Sequence, residues 1–67
     1  MKKIKIIDLL NKIANGEKVP KKIRYFLYEG NNDIYEYWEE ADEYYNGFGF
    51  LSVPNHHLND EAEIIED

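Results

Sequence analysis

Few side chains in this sequence have the type and spacing that catalysis or metal binding requires. His56 and His57 are its two histidines, and adjacent residues of an extended chain point to opposite sides, so they are poorly placed to hold one metal ion. Ser52, the single serine, lacks the Gly-x-Ser-x-Gly context of a hydrolase nucleophile. The chain has no cysteine, which excludes disulfide bonds and thiolate ligands. We expect a protein that is not an enzyme and holds no metal or cofactor, with its histidines exposed in a loop.

The charged residues are a stronger signal, because they divide the chain into two parts of opposite sign. All eight basic residues lie within the first 24 positions, where two carboxylates accompany them and leave +6. Residues 25–67 carry twelve carboxylates and no lysine or arginine, so this part has −12 and the whole chain −6. Such asymmetry is typical of an interaction surface. The alternative is that the two parts fold together and neutralise each other in surface pairs.

A basic segment followed by aromatic residues is the first candidate for a binding surface. Cations bind phosphate groups, and the face of a tyrosine or tryptophan ring can stack on a base. The candidate ligand-binding residues are Lys21, Lys22, Arg24, Tyr25, Tyr35 and Trp38. They predict a site for a small nucleotide, whereas the −12 segment would repel the backbone of an extended nucleic acid. The alternative is that these cations only balance the acidic part of the chain.

The second candidate is the acidic, aromatic segment 35–45. Carboxylates at this density can occupy a basic channel that normally binds nucleic acid, and aromatic rings supply contact area at protein interfaces. The candidate partner-binding residues are Glu36, Glu39, Glu40, Asp42, Glu43 and Tyr44. The alternative here is a solvated turn whose aromatic residues belong to the core.

The elements that would position these residues begin with a helix over about 5–15. Its apolar residues recur at helical spacing, and they are Ile6, Leu9, Leu10, Ile13 and Ala14. Asn15-Gly16 is a typical C-terminal cap, and Pro20 prevents continuation. Ile4 lies off the apolar face, so the first residues should lie outside the helix.

Short strands should follow, over about 22–28, 33–38, 48–53 and 61–65. The cluster 29–32 is a turn signal, and 39–43 reads as a charged connection or a further helical turn. The chain is long enough for one domain, 1–67. The predicted fold is α+β, with one N-terminal amphipathic helix packed on a small antiparallel sheet of about four short strands.

Two further expectations follow from composition. The longest apolar runs are far shorter than the roughly 20 residues that cross a membrane, and polar residues interrupt any signal-peptide core. We therefore expect no membrane partner and a cytoplasmic location. A domain of 67 residues has a small core, so we also expect a homo-oligomer or another partner to stabilise it.

The two ends of the chain resemble a family of small proteins from phages and prophages of Gram-positive bacteria. The resemblance rests on residues 4–23, IKIIDLLNKIANGEKVPKKI, and on residues 58–66, LNDEAEIIE. A fainter likeness is to the Thoeris anti-defence sponge proteins of phages, which hold cyclic nucleotide signals between subunits. It implies a helix-plus-sheet protomer, oligomerisation and a ligand site without catalysis. No site residue is carried over, because the Trp-Asn-Gly stretch of those proteins is replaced here by residues 23–26, IRYF.

Two functional hypotheses follow. In the first, the protein is a phage counter-defence sponge that sequesters a small cyclic nucleotide immune signal through the basic, aromatic residues. In the alternative, the acidic segment inhibits a host defence nuclease, such as a CRISPR effector, as a mimic of nucleic acid.

Overall fold

One helix and six strands make up the part of the fold that the structure describes. The computed structural model describes residues 2–26 and 33–67. Its elements are β1 (Lys3–Lys5), α1 (Ile6–Ala14), β2 (Lys22–Arg24), β3 (Ile34–Trp38), β4 (Glu43–Asn46), β5 (Gly49–Phe50), a 3-10 helix (Asn55–His57) and β6 (Glu61–Glu66). The strands form one sheet in the order β1-β6-β2-β3-β4-β5, with every pair antiparallel. The predicted α+β class with one helix and an antiparallel sheet is confirmed, whereas the sheet has six strands rather than about four.

The helix ends where the sequence predicts. Gly16 has a φ of 70°, the left-handed conformation that glycine adopts without steric cost. Its N–H donates to the carbonyl of Ile13 at 3.1 Å, and the N–H of Glu17 donates to the carbonyl of Lys12 at 2.9 Å. These two bonds form a Schellman motif, which satisfies carbonyls at the end of the helix.

The start of the helix is capped by distant backbone. The N–H groups of Ile6 and Ile7 donate to the carbonyls of Asp60 and Leu58, at 2.9 and 2.8 Å. The segment just before β6 thus supplies acceptors that the first turn of a helix cannot find within itself. The folding of α1 is therefore tied to the other end of the chain.

A buried cluster joins the helix to the sheet. Its members are Ile6, Leu9, Val19, Ile23, Tyr25, Tyr44 and Ala62. Ile23 is completely buried on β2, which lies between β6 and β3. Packing of the amphipathic helix against one face of the sheet is the arrangement that the periodicity indicates.

Two strands were not anticipated. In β1, Lys3 and Lys5 are register partners of Glu63 and Glu61 in β6, so cross-strand charge complementarity accompanies a pairing that three residues cannot signal locally. β4 begins at Glu43, the last residue of the connection expected over 39–43, and it pairs with β3 and buries Tyr44. A long-range burial of this kind overrides local charge patterning.

The remaining strand bounds also shift. The strand expected over 48–53 is limited to β5, and the strand expected over 61–65 extends one residue further. β2 ends at Arg24, and residues 27–28 and the turn cluster 29–32 lie outside the described residues. In the described part of the chain, no helix has the length and apolar character needed to cross a membrane.

Candidate binding surfaces

The sheet has an inner face against α1 and an outer face without a covering element among the described residues. Side chains alternate along a strand, so Tyr35 and Tyr37 of β3 pack against the core while Glu36 and Trp38 are exposed on the outer face. Register partners lie on the same face. One row therefore crosses four strands of the outer face, and it consists of Lys22, Glu36, Tyr45 and Phe50.

An aromatic patch occupies the β3-β4-β5 end of this outer face, and it consists of Trp38, Tyr45 and Phe50. The Trp38 ring centroid is 5.8 Å from that of Tyr45 in an edge-on arrangement and 6.0 Å from that of Phe50, with only 16° between the latter planes. The three residues remain 44%, 37% and 49% exposed. Neighbouring large apolar residues left exposed in this way make the patch a candidate interaction surface.

Carboxylates flank the aromatic patch at Glu36 and Glu43 and continue along the turn between β3 and β4. This acidic rim consists of Glu36, Glu39, Glu40, Asp42 and Glu43, all exposed. Glu36 lies beside the patch in the same row and accepts a hydrogen bond from the Tyr45 hydroxyl at 3.3 Å. Glu43 is the register partner of Trp38, so a carboxylate also flanks the indole across the strand pair.

The β3–β4 turn, residues 39–42, holds the other three carboxylates of the rim. The N–H of Asp42 donates to the carbonyl of Glu39 at 3.3 Å, and Asp42 has a φ of 54°. Its side-chain oxygen accepts a hydrogen bond from the Tyr37 hydroxyl at 3.1 Å. Burial, followed by the Asp42 carboxylate, raises the pKa of Tyr37, so this tyrosine remains a neutral donor that supports the turn.

The cations predicted to bind phosphate are largely paired with carboxylates. Nζ of Lys22 lies 3.4 Å from Oε1 of Glu36. Arg24 lies between two acids, with Nε 3.6 Å from Oδ2 of Asp33 and Nη1 3.7 Å from Oε2 of Glu63. At these two positions the structure shows the mutual neutralisation that was the alternative to a phosphate site. Lys21 is exposed.

The three aromatic residues predicted to stack on a ligand lie in different environments. Tyr25 is only 4% exposed, and its hydroxyl donates to Oδ2 of Asp60 at 2.9 Å. Tyr35 packs against the core. Trp38 alone of the three presents its ring on the outer face, so the six predicted ligand residues do not converge on one site within this chain.

A groove of about 800 Å³ lies beside Lys18 and Lys21. Three lysines line it, since Lys22 is also present, but carboxylates outnumber them. Those carboxylates are Glu17, Glu36, Glu39, Asp42 and Glu66. The groove is therefore a poor match for a strongly anionic ligand.

The predicted partner-binding set divides into surface residues and one core residue. The five carboxylates form the acidic rim, whereas Tyr44 is 2% exposed and its hydroxyl donates to the carbonyl of Pro20 at 2.6 Å. Tyr44 is thus unable to contact a partner in this conformation. The sequence analysis included Tyr45 in the segment 35–45 without singling it out, and it missed Phe50, although alternation on either side of the Asn46-Gly47 turn could have placed both on one face.

A separate cluster of titratable groups consists of His57, Asp60 and Tyr25. Nδ1 of His57 lies 2.9 Å from Oδ2 of Asp60, the oxygen that also accepts from Tyr25. The hydrogen bonds from His57 and then Tyr25 lower the pKa of Asp60. A His–Asp pair can orient a general base, but the one hydroxyl bonded here, Tyr25, is buried and directed at the carboxylate. Among the described residues no group of three potential metal ligands occurs.

The comparisons with known proteins give no match. No family model fits the sequence, and no curated protein or solved structure matches it.

Proposed function

We propose that this chain is a non-catalytic binding protein that docks on a basic surface of another protein through the aromatic patch and the acidic rim. Such a surface exists in the nucleic-acid channel of a nuclease, so the proposal corresponds to the inhibitor hypothesis from the sequence. A phage protein that blocks a host defence nuclease would use a surface of this chemistry.

One observation carries the proposal: the largest exposed cluster of aromatic rings among the described residues is bordered by carboxylates. Burying aromatic rings against a partner supplies most of the energy at typical interface centres. The rim adds complementarity to a basic surface, which increases the association rate and rejects acidic surfaces. The cations of β2 are less available, because Lys22 and Arg24 are each in contact with carboxylates. Of the rim, Glu36 is the carboxylate paired with Lys22, whereas Glu40 and Glu43 form no salt bridge with the described residues.

A nucleotide sponge is the second proposal, and a different observation favours it. Lys18 and Lys21 are exposed beside the groove, and neither forms a salt bridge with the described residues. A second subunit would have to complete the site, because one protomer does not bring these lysines together with free aromatic rings.

Binding titrations can separate the two proposals, since Trp38 is the single tryptophan and reports on the patch directly. The probes are a nona-arginine peptide and a panel of cyclic mono- and dinucleotides, each followed by Trp38 fluorescence and calorimetry. We expect the peptide to bind and to change the Trp38 emission. We expect no thermal stabilisation by the nucleotides.

Matched charge variants decide whether the binding is specific to this surface. E40K/E43K changes the rim, and E61K/E66K makes the same change in net charge on β6, away from the patch. We expect at least a tenfold loss of peptide affinity in the first variant and a much smaller loss in the second. Equal losses would overturn the proposal, because they would indicate attraction by net charge alone. The sponge proposal would be supported instead if the wild type bound a nucleotide but not the peptide, and if K18A/K21A lost the nucleotide binding.

A further inference from the structure

From the edge of the sheet next to the aromatic patch, we infer that the partner binds as an extended strand that pairs with β5. In this strand, arginine alternates with apolar residues. The inference rests on the proposed function, because it specifies how a basic partner occupies the same surface. In this arrangement the partner's backbone, as well as its side chains, contacts the protein.

The hydrogen-bonding pattern leaves the outer side of β5 available. The N–H of Leu51 donates to the carbonyl of Tyr44 at 2.8 Å, so these two residues form a hydrogen-bonded pair. In an antiparallel ladder such pairs alternate with non-hydrogen-bonded pairs, and the next pair is Tyr45 with Phe50. The N–H and C=O of Phe50 therefore point away from β4. β5 is the last strand of the sheet, and no described residue pairs with it on that side.

The two edges of the sheet differ in how they are protected. β1, at the opposite edge, carries Lys3 and Lys5 on either side of Ile4, and edge lysines discourage pairing with another chain. Residues 47–53, which contain β5, have the sequence GFGFLSV without a charge. An exposed sheet edge can accept an added strand from a partner, and no charged side chain in residues 47–53 opposes it here.

The faces of the sheet determine the side chains that the added strand would carry. On the outer face its residues would lie next to Phe50, with Tyr45 and Glu43 further along the same surface. Arginine fits this environment best, because its planar guanidinium stacks on aromatic rings and binds carboxylates through two hydrogen bonds. On the inner face the neighbours are Leu51 and Val53, which pack against the core, so the alternate residues should be apolar.

The probe for this inference is a capped peptide with the sequence Arg-Val-Arg-Val-Arg. Two N-methylated versions keep its side chains and charge but remove different main-chain donors. One version methylates the amides on the side that faces β5, and the other methylates those on the opposite side. We expect that methylating one set of alternate amides lowers the affinity at least tenfold and that methylating the other set changes it little. The sensitive set is the one that faces β5. The amide of Phe50 should become protected from hydrogen exchange when the unmodified peptide binds.

The outcomes separate this inference from the proposed function. If the peptide binds and E40K/E43K abolishes binding, but both methylated versions bind as well as the parent, the patch binds side chains alone and the strand inference is wrong. If no arginine peptide binds, the proposed function itself fails. Concentration-dependent dimerisation that protects the Phe50 amide without peptide would also overturn the inference, since a second copy would then occupy this edge.

Discussion

The hydroxyl of Tyr25 donates a hydrogen bond to Oδ2 of Asp60, 2.9 Å away, across 35 positions of the sequence. The same oxygen lies 2.9 Å from Nδ1 of His57, and the backbone carbonyl of Asp60 accepts from the N–H of Ile6 at 2.9 Å. One aspartate thus connects the residue after β2, the 3-10 helix and the first turn of α1. This connection holds the helix start beside β6.

Acid should weaken the fold through Asp60. Its pKa is lowered by the hydrogen bond to His57 and then by the one to Tyr25, so the folded state holds its proton less tightly than the unfolded state. The stabilisation is therefore complete above the ordinary aspartate value of 3.8 and is lost as the pH falls through the lower folded pKa. We expect the urea midpoint to fall more between pH 7 and pH 3 in the wild type than in D60N.

The neighbouring carboxylate provides the control for this prediction. E61Q also removes one acid, but Glu61 makes none of the hydrogen bonds of the Tyr25–Asp60–His57 cluster. Its midpoint should follow the wild-type pH dependence. An identical acid response in D60N and the wild type would contradict the role assigned to the cluster.

Alkaline pH should weaken the fold through Tyr44. Burial raises the pKa of Tyr44 well above its ordinary value of 10.0, so the folded state keeps a proton that the unfolded state releases. The resulting stabilisation is complete below pH 10 and declines as the pH rises toward the folded pKa. We expect urea midpoints measured from pH 8 to pH 11 to fall at the alkaline end.

Two phenylalanine variants isolate that effect. Y44F leaves the carbonyl of Pro20 without its 2.6 Å hydrogen bond, which should cost about 1–3 kcal/mol at neutral pH. The same variant should also reduce the alkaline decline, to which Tyr37, whose pKa is raised as well, still contributes. Y45F changes a partly exposed tyrosine on the outer face and should leave the decline in place. If Y44F showed an alkaline decline as large as that of the wild type, the decline would arise from a titratable group other than Tyr44.

Local sequence signals were sufficient for the helix but not for the sheet. The periodic apolar residues and the Asn15-Gly16 cap predicted α1 to within one residue at each end, because helix formation and capping depend on nearby positions. β1 and β4 depend instead on pairing with β6 and β3. Neither Ile4 between two lysines nor Tyr44 beside Glu43 reveals that pairing locally.

The candidate surface was predictable in part for the same reason. The sequence identified the acidic rim and Trp38, since the order of residues itself shows where the carboxylates and the single tryptophan lie. It did not identify Tyr45 and Phe50 as the neighbours of Trp38, which only the β3-β4-β5 order brings together. It also offered Tyr25 and Tyr44 as surface residues, whereas folding places both in the core.

Ile23 should be the most sensitive aliphatic position of the sheet. It is fully buried, and its register partners are Tyr35 on β3 and Ile64 on β6. I23A should cost about 2–5 kcal/mol, and I23V about 0.5–1.5 kcal/mol. A chain of 67 residues has a total stability of roughly 3–10 kcal/mol, so I23A should lose a large share of it. Urea unfolding followed by circular dichroism measures both, and a loss in I23A no larger than in I23V would contradict the burial.

The left-handed backbone at Asp42 gives a reversal of the usual alanine–glycine order. With a φ of 54°, Asp42 occupies a conformation that costs most side chains about 1–2 kcal/mol and glycine nothing. D42A and D42G both remove the charge and the hydrogen bond from Tyr37, so their difference isolates the backbone term. We expect D42G to be more stable than D42A by about 1 kcal/mol, although alanine is the more stable of the two in regular secondary structure.

D42N, which tolerates this conformation and can still accept from Tyr37, should be more stable than D42A. Urea denaturation at neutral pH decides the order, and D42A equal to or above D42G would show that the turn does not hold residue 42 in the left-handed region.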